Sequence, residues 1–170
     1  MNTTYRVPDL AQARVGLVMG SNSDWPTMQG AAQVFEQFAL PYVAQVVSAH
    51  RMPLDMVDFA QQATQHGLAG IVAGAGGAAH LPGMLAALTE VPVFGVPIAT
   101  RHMQGEDSLW SIVQMPKGVP VATFAIGEAG AINAALHVVA NLAVHQPELK
   151  AQLTAYRQQQ TQQARAMKLD

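Results

Sequence analysis

One short segment of the chain places a group that can move a proton beside a group that can bind an anion. Residues 48–53 read Ser-Ala-His-Arg-Met-Pro, so the imidazole of His50 is followed directly by the guanidinium of Arg51. Histidine suits proton transfer because its ordinary pKa lies near neutrality, and arginine suits a phosphate because its planar fork offers paired donors. The segment therefore indicates an acid/base group next to a residue that binds an anion. The alternative is that His50 is a loop histidine without a chemical role.

A second segment, residues 19–24, is suited to holding phosphate or sugar hydroxyls. It reads Met-Gly-Ser-Asn-Ser-Asp, a glycine turn followed by two hydroxyls and a carboxylate that lead into a predicted helix. A helix N-terminus of this kind attracts anions. Serine and aspartate are also the ordinary helix-capping residues, so capping alone explains the pattern nearly as well.

A third segment, residues 74–83, contains four glycines in ten positions. Glycines allow the backbone to approach a ligand closely, which favours a flat or anionic ligand here. Residues 74–79 also satisfy the loose dinucleotide pattern Gly-x-Gly-x-x-Gly/Ala. That pattern belongs after the first strand, with an acidic residue about 20 positions later, whereas this loop follows the third strand, so a dinucleotide site is not predicted.

Five apolar runs rich in valine and isoleucine predict the strands that position these segments: residues 14–19, 42–47, 69–73, 91–96 and 119–125. The runs are nearly continuous in apolar character, as expected for parallel strands that helices cover on both faces. Helices are predicted in the gaps, after a cap at Ser23 or Asp24, from Pro53 to near Gly67, and over residues 81–89, 107–115 and 128–144. The predicted fold is an α/β three-layer αβα sandwich with a doubly wound parallel sheet, forming one domain over residues 14–146.

A last helix is predicted over residues 147–168. Leu149, Leu153, Tyr156 and Met167 form a thin apolar line on a segment otherwise rich in glutamine. A narrow apolar stripe needs a surface to pack against. Two alternatives stay open, a helix that lies on its own domain and a helix that docks on another subunit.

The composition excludes several functional classes. The 170 residues carry a formal net charge of -2, which lacks the basic excess of a nucleic-acid or anionic-membrane binder. The most apolar stretch, residues 91–98, is far shorter than the roughly 20 residues that span a bilayer. Residues 1–13 do not resemble a signal peptide, and the absence of cysteine suits a reducing compartment, so a cytoplasmic protein is expected.

The remaining motifs argue against metal, nucleophilic or ATP chemistry. None of the six histidines lies three or four positions from another, and no acidic cluster accompanies them, so no metal site is predicted. The chain contains neither a Gly-x-Ser-x-Gly elbow nor a glycine-rich loop that ends in Lys-Ser or Lys-Thr.

Together, the motifs resemble the bacterial 5-(carboxyamino)imidazole ribonucleotide mutase family. The resemblance spans residues 14–143 and rests on five segments in the family's order: residues 19–25, 48–51, 74–84, 107–109 and 111–116. Met52 stands where threonine is more usual and Lys117 where arginine is common. The family implies a flavodoxin-like fold, a homo-octamer with sites at subunit contacts, and no metal, ATP, biotin or other cofactor.

The resemblance also implies a role for each matching residue. His50 matches the family's catalytic acid/base, and the reaction moves a carboxylate from nitrogen to carbon on a phosphoribosyl imidazole. The ribose and phosphate are expected at Ser21, Ser23, Asp24, Ser48 and Arg51. The imidazole and carboxylate are expected at Ala75, Gly76, Gly77 and His80.

Two other functions stay open. The related animal-type carboxylase uses free carbon dioxide, but it typically has lysine after the catalytic histidine and lacks the Gly-Gly-Ala-Ala-His run, so Arg51 and His80 favour the mutase. A non-catalytic flavodoxin-like module that holds a flavin or nucleotide would share the sheet and the phosphate loops. Such a module would not need His50 beside Arg51.

Overall fold

A five-stranded parallel sheet forms the centre of the molecule, which a computed structural model describes over residues 9–169. Residues 1–8, which belong to the N-terminal segment expected not to be a signal peptide, lie outside this range. The strands are β1 (Val15–Met19), β2 (Tyr42–Val46), β3 (Gly70–Gly76), β4 (Val93–Ile98) and β5 (Ala122–Thr123). The spatial order is β2-β1-β3-β4-β5, and every neighbouring pair is parallel.

This strand order is the flavodoxin-like one, and it confirms the predicted doubly wound sheet. The chain starts in the sheet's interior at β1, adds β2 on one side and then crosses to β3 on the other side. The loops after β1 and β3 therefore diverge, which opens a crevice beyond the carboxyl ends of the strands.

In the part of the chain that the structure describes, six α-helices cover the two faces of the sheet. They are α1 (Trp25–Gln37), α2 (Pro53–Gln65), α3 (Leu81–Ala86), α4 (Glu106–Val113), α5 (Glu128–Ala143) and α6 (Pro147–Ala166). Helices α1, α5 and the start of α6 enclose one hydrophobic core, while α2, α3 and α4 enclose the other. Four of the helices carry proline in the first turn, where its missing N–H costs no hydrogen bond. The three-layer architecture is thus confirmed.

Two strands differ in length from their predicted ranges by two residues or more. The third continues through the glycines to Gly76, because Ala75 and Gly76 still pair with Pro97 and Ile98 of β4. The fifth has only two residues of the seven predicted. It is an edge strand that pairs with β4 alone, and Pro120 has no N–H to extend the ladder.

The first helix begins differently from the prediction. Of the two caps predicted, Asp24 does occupy the N-cap position of α1, but its side chain makes no capping hydrogen bond to that helix. Instead, a 3-10 turn over Asn22–Asp24 precedes α1, and Ser21 caps that turn. The Ser21 side chain accepts the Ser23 N–H, while the Asp24 carboxylate accepts the Ser21 N–H in return, which completes a capping box.

The C-terminal helix begins on its own domain. Leu149 is buried in the core beneath α1 and α5, and Leu153 and Tyr156 pack against that core. The Tyr156 ring lies 5.8 Å from the ring of Phe38, centroid to centroid. The fourth residue of the predicted stripe, Met167, is exposed, as is every residue from 157 to 169. The first half of α6 thus lies on its own domain, whereas the second half is solvent-exposed in the single chain.

Small residues set the distance between α1 and α5. A Cβ on Gly30 of α1 would lie 3.0 Å from the Ile132 side chain of α5. A Cβ on Gly130 would overlap the carbonyl of Ala125, in the segment that leads into α5, so this glycine sets the approach of the first turn of α5 to that segment. Ala131, Ala134 and Ala135 are fully buried along the same helix. Close approach of these two helices therefore depends on side chains that are absent or minimal.

Gly130→Ala should lower the free energy of unfolding by about 1–3 kcal/mol, since the added methyl group must displace backbone. Urea denaturation of the variant and of the parent measures this loss. Ala129→Gly, at an exposed position one residue earlier, should cost only the helix-propensity difference of about 1 kcal/mol. A Gly130→Ala variant as stable as the parent would contradict the packing described.

Candidate functional site

A cleft of about 470 Å³ opens beyond the carboxyl ends of the strands, at the crevice that the strand order creates. The loops after β1, β2, β3 and β4 each supply part of its lining, so four segments distant in sequence meet there. The lining residues are Gly20, Ser21, Ser23, Asp24, Ser48, Ala49, His50, Arg51, Ala75, Gly76, Ala78, His80, Leu81, Ile98, Ala99 and Thr100.

Nine of the ten site residues predicted from the sequence line this cleft. The tenth, Gly77, does not. Its N–H donates instead to the hydroxyl of Ser108, at 2.9 Å, behind the cleft wall. The structure thus brings the predicted histidines, arginine, serines and aspartate into one cavity and places Gly77 in the support behind it.

The wall from the β1 loop is a cluster of hydroxyls around a buried carboxylate. The Ser23 hydroxyl lies 2.9 Å from the hydroxyl of Ser21 and 3.3 Å from Asp24 Oδ1, while the Ser21 N–H donates to Asp24 Oδ2 at 3.1 Å. These bonds hold the two hydroxyls side by side at the cleft surface. Such an arrangement can bind phosphate oxygens or ribose hydroxyls.

Burial dominates the ionisation of Asp24. Desolvation raises the pKa of its carboxyl above the ordinary value of 3.8. Hydrogen bonds from Ser23 and Ser21, the charge of Arg51 and the backbone of Gly20 oppose this shift without cancelling it. The carboxylate is therefore held in place at an electrostatic cost.

Arg51 links the loops that follow the two neighbouring strands β1 and β2. Its Nε donates to the Ser48 hydroxyl at 3.0 Å, and one terminal nitrogen donates to the Gly20 carbonyl at 2.7 Å. Ser48 is buried, so it is a firm anchor for the guanidinium. The two bonds use two of the five N–H donors of arginine and leave the others for an anion in the cleft.

Two imidazoles meet across the cleft. His50 Nε2 lies 2.9 Å from His80 Nδ1, with the rings edge to face at 83°. A single hydrogen occupies the space between these two nitrogens, so one ring donates and the other accepts. The bond couples the tautomer of His50 to that of His80 and orients the His50 ring.

Sequence reasoning missed the last residue of β4 and the two residues that follow it. Ile98, Ala99 and Thr100 line the cleft, and the Thr100 hydroxyl donates to Asp107 Oδ1 at 2.8 Å. The available signal was positional, because residues just beyond the carboxyl end of any parallel strand reach this edge of the sheet.

Within residues 9–169, no three histidine, aspartate or glutamate side chains cluster closely enough to hold a metal ion. None of the helices described there is long and apolar enough to cross a membrane.

Comparison with known proteins places the chain in a family. The family model described as AIR carboxylase matches residues 14–163, which is most of the chain. The chain belongs to the AIR carboxylase family. It is 55% identical over 148 residues to the N5-carboxyaminoimidazole ribonucleotide mutase of Vibrio cholerae. The alignment covers 87% of this chain and 92% of the relative.

A second relative has the same name. The N5-carboxyaminoimidazole ribonucleotide mutase of a Synechocystis strain is 58% identical to this chain over 144 residues. The alignment covers 85% of this chain and 81% of the relative. Among solved structures, Treponema denticola PurE superposes with a TM-score of 0.78 at 22% identity, covering 88% of this chain and 92% of that one. At that identity the structural match supports the fold.

The ionisation of Asp24 makes the free energy of unfolding of this chain depend on pH, which can be tested. Because burial raises the folded pKa above the unfolded value, this carboxyl favours folding when protonated, and its contribution is lost as pH rises through the folded pKa. Asparagine does not titrate. The free energy of unfolding of Asp24→Asn, relative to the parent, should therefore increase from pH 3.8 upward and then level off. Urea titrations across acidic pH measure it, and a difference independent of pH would contradict the assignment.

Proposed function

We propose that this chain is an N5-carboxyaminoimidazole ribonucleotide mutase, an isomerase of purine biosynthesis. The reaction breaks the bond between the exocyclic nitrogen and its carboxylate, and it forms a bond from the same carboxylate carbon to ring carbon 4. One proton leaves that ring carbon and one is gained by the exocyclic nitrogen. No atom is gained or lost overall, so the reaction needs neither an oxidant nor ATP.

The single observation that carries this proposal is the position of His50 in the cleft. It is hydrogen-bonded to His80 at one side, and the adjacent Arg51 is anchored to Ser48 and Gly20 at the other. A proton-transfer group and an anion clamp are thus held at adjacent points of one cavity. Relatives of 55% and 58% identity that carry the mutase name support the same reaction.

The proposed substrate orientation follows from the chemistry of the two cleft walls. The phosphate and ribose lie against Ser21, Ser23, Asp24, Ser48 and Arg51, which offer hydroxyls, a carboxylate and guanidinium donors. The imidazole and its carboxylate lie against the small residues Ala75 and Gly76 and beside His80. Gly77 contributes through the shape of that loop, since its N–H is held by Ser108.

His50 is the proposed acid/base. As an acid, it protonates the exocyclic nitrogen while carbon dioxide leaves. As a base, it removes the proton from the ring carbon after carbon dioxide has been recaptured, so the same proton carrier is restored at the end of each cycle. His80 holds the ring of His50 at the reacting atoms through the 2.9 Å bond.

Two alternatives remain as outcomes of experiment. A carboxylase would convert the bare aminoimidazole ribonucleotide with free carbon dioxide, and a flavodoxin-like binding module would convert neither compound. A retained flavin would appear in the absorbance spectrum of the purified protein.

The proposal extends to assembly and location. We place the chain in the cytoplasm, in line with the absence of cysteine, and in a homo-octamer, in line with the resemblance. Exposed apolar side chains support self-association, among them Leu54, Trp110 and Val144, which are 80%, 58% and 72% exposed in the single chain. A small-molecule ribonucleotide is the proposed ligand, with neither nucleic acid nor membrane as partner.

Incubation with each imidazole substrate tests the reaction. The carboxyamino compound should give the 4-carboxy product without ATP or added bicarbonate. The bare aminoimidazole ribonucleotide with bicarbonate should give little product in the same time. Faster carboxylation of the bare compound would identify a carboxylase instead, and conversion of neither would reject both enzymatic functions.

His50→Asn should reduce turnover by about 10²–10⁴-fold, the usual contribution of a positioned acid/base group. Folding and ribonucleotide binding should be retained, because the His50 side chain is exposed in the cleft and supports no core. Turnover, ligand affinity and melting temperature measured on one preparation separate these effects. His66→Asn, at an exposed position that ends α2, serves as the matched control. Near-parental turnover in folded His50→Asn would remove this residue from the mechanism.

Two truncations test whether α6 reaches a neighbouring subunit. Ending the chain at Tyr156 keeps Leu149, Leu153 and the ring contact with Phe38, but removes the exposed second half of the helix. We expect a smaller or less heat-stable assembly by light scattering. Ending it at Gln146 also uncovers the core, so the domain itself should lose stability. An unchanged assembly in the Tyr156 truncation would show that the second half of α6 makes no subunit contact.

A further inference from the structure

Helix α4 carries a polar face that the proposed mechanism does not yet use. Asp107, Ser108 and Ser111 lie on this helix, within the two segments, residues 107–109 and 111–116, that resemble the family's motifs. None of the three side chains lines the cleft. Each makes a hydrogen bond to a residue of a cleft loop, Gly77 for the two serines and Thr100 for Asp107.

Ser108 joins the two strands at the back of the cleft. Its hydroxyl accepts the Gly77 N–H at 2.9 Å and donates to the Ile98 carbonyl at 2.7 Å. The side chain is fully buried, so water does not compete for these bonds. One hydroxyl thus ties the loop after β3 to the end of β4.

Ser111 holds the same residue, Gly77, through the peptide group on its other side. Its hydroxyl lies 3.2 Å from the Gly77 carbonyl and 2.7 Å from the Asp107 carbonyl, and its single hydrogen is shared between them. Gly77 has a φ of +70°, in the left-handed region, with open space where a Cβ would lie. The glycine is therefore required by its backbone angle, and α4 holds that angle through both the N–H and the carbonyl.

Asp107 makes a hydrogen bond to the loop after β4, on the other side of the cleft. It accepts the Thr100 hydroxyl at 2.8 Å, and Thr100 in turn accepts the Gly105 N–H at 3.3 Å. Successive polar residues of one helix thus hold the loop after β3 and the loop after β4 at a fixed separation.

We propose that Ser108, assisted by Ser111, is a positioning residue that holds the loop of Gly76, Gly77 and Ala78 in the shape that retains carbon dioxide between its release and its recapture. The inference rests on the proposed function. Carbon dioxide is uncharged after the bond to nitrogen breaks, so no ion pair holds it, and retention depends on the shape of the small-residue wall. A loop displaced by about 1 Å can cost a factor of 10² in a step that needs alignment.

The measurement is the partition of the consumed carboxyamino substrate between the carboxylated product and bare aminoimidazole ribonucleotide, after subtraction of an enzyme-free blank. The parent should form mainly the carboxylated product. In Ser108→Ala, the ratio of bare ribonucleotide to carboxylated product should rise at least tenfold. The upper bound is the factor of about 10² that misalignment can cost. Ser111→Ala should shift the ratio in the same direction but less, because its hydrogen already bonds Asp107 more closely.

Thr154→Ala is the matched control, since it removes a hydroxyl bonded to the carbonyl four residues earlier on α6, remote from the cleft. It should keep the parental ratio. The ratio compares two products of the same active sites, so a lower amount of folded enzyme does not change it. If Ser108→Ala does not fold, Ser111→Ala decides in the same way.

Parental partition in the folded serine variants would overturn the positioning role and leave the proposed function intact. A parent that forms no carboxylated product from the carboxyamino substrate would overturn the proposed function, and this inference with it. The two failures are therefore distinct.

Discussion

The pairing of β1 with β2 on one side and β3 on the other is the constraint on which the cleft depends. It brings the loop after β1 beside the loop after β2, where the Arg51 side chain reaches the Gly20 carbonyl. It also separates the loops after β1 and β3, which leaves a crevice with polar groups on both walls. Parallel strands that are covered on both faces keep this geometry rigid, since both hydrophobic cores would have to be disrupted to move a strand.

Within this frame, the exposed side chains of the candidate site are held by hydrogen bonds to other parts of the site. His50 and Arg51 are exposed, and each is oriented by a partner from a different loop. Among the described residues, no buried side-chain nitrogen or oxygen lacks a hydrogen-bond partner. Ordering the exposed groups before substrate arrives reduces the entropy that binding must otherwise cost.

Small residues recur wherever two surfaces must come close. On one face, Gly30 allows α1 and α5 to approach each other, Gly130 leaves room for the carbonyl of Ala125, and a Cβ on Gly74 would collide with the Met28 side chain. At the cleft, Gly76 and Ala78 form a wall without bulky side chains. The shape of that wall then depends on backbone conformation, which is the basis of the role proposed for the serines of α4.

The sequence by itself determined the sheet and the helices, because apolar runs and glycine and proline signals are local in the chain. Nine of the cleft residues were predicted from the motifs that resemble the family. The tertiary structure decided what depends on partners distant in sequence. The edge position of β5 shortened it to two residues, the bond to Ser108 took Gly77 out of the lining, and packing on Phe38 placed the start of α6 on its own domain. The 2.9 Å bond between His50 and His80 joins residues 30 positions apart, and no local pattern encodes such a contact.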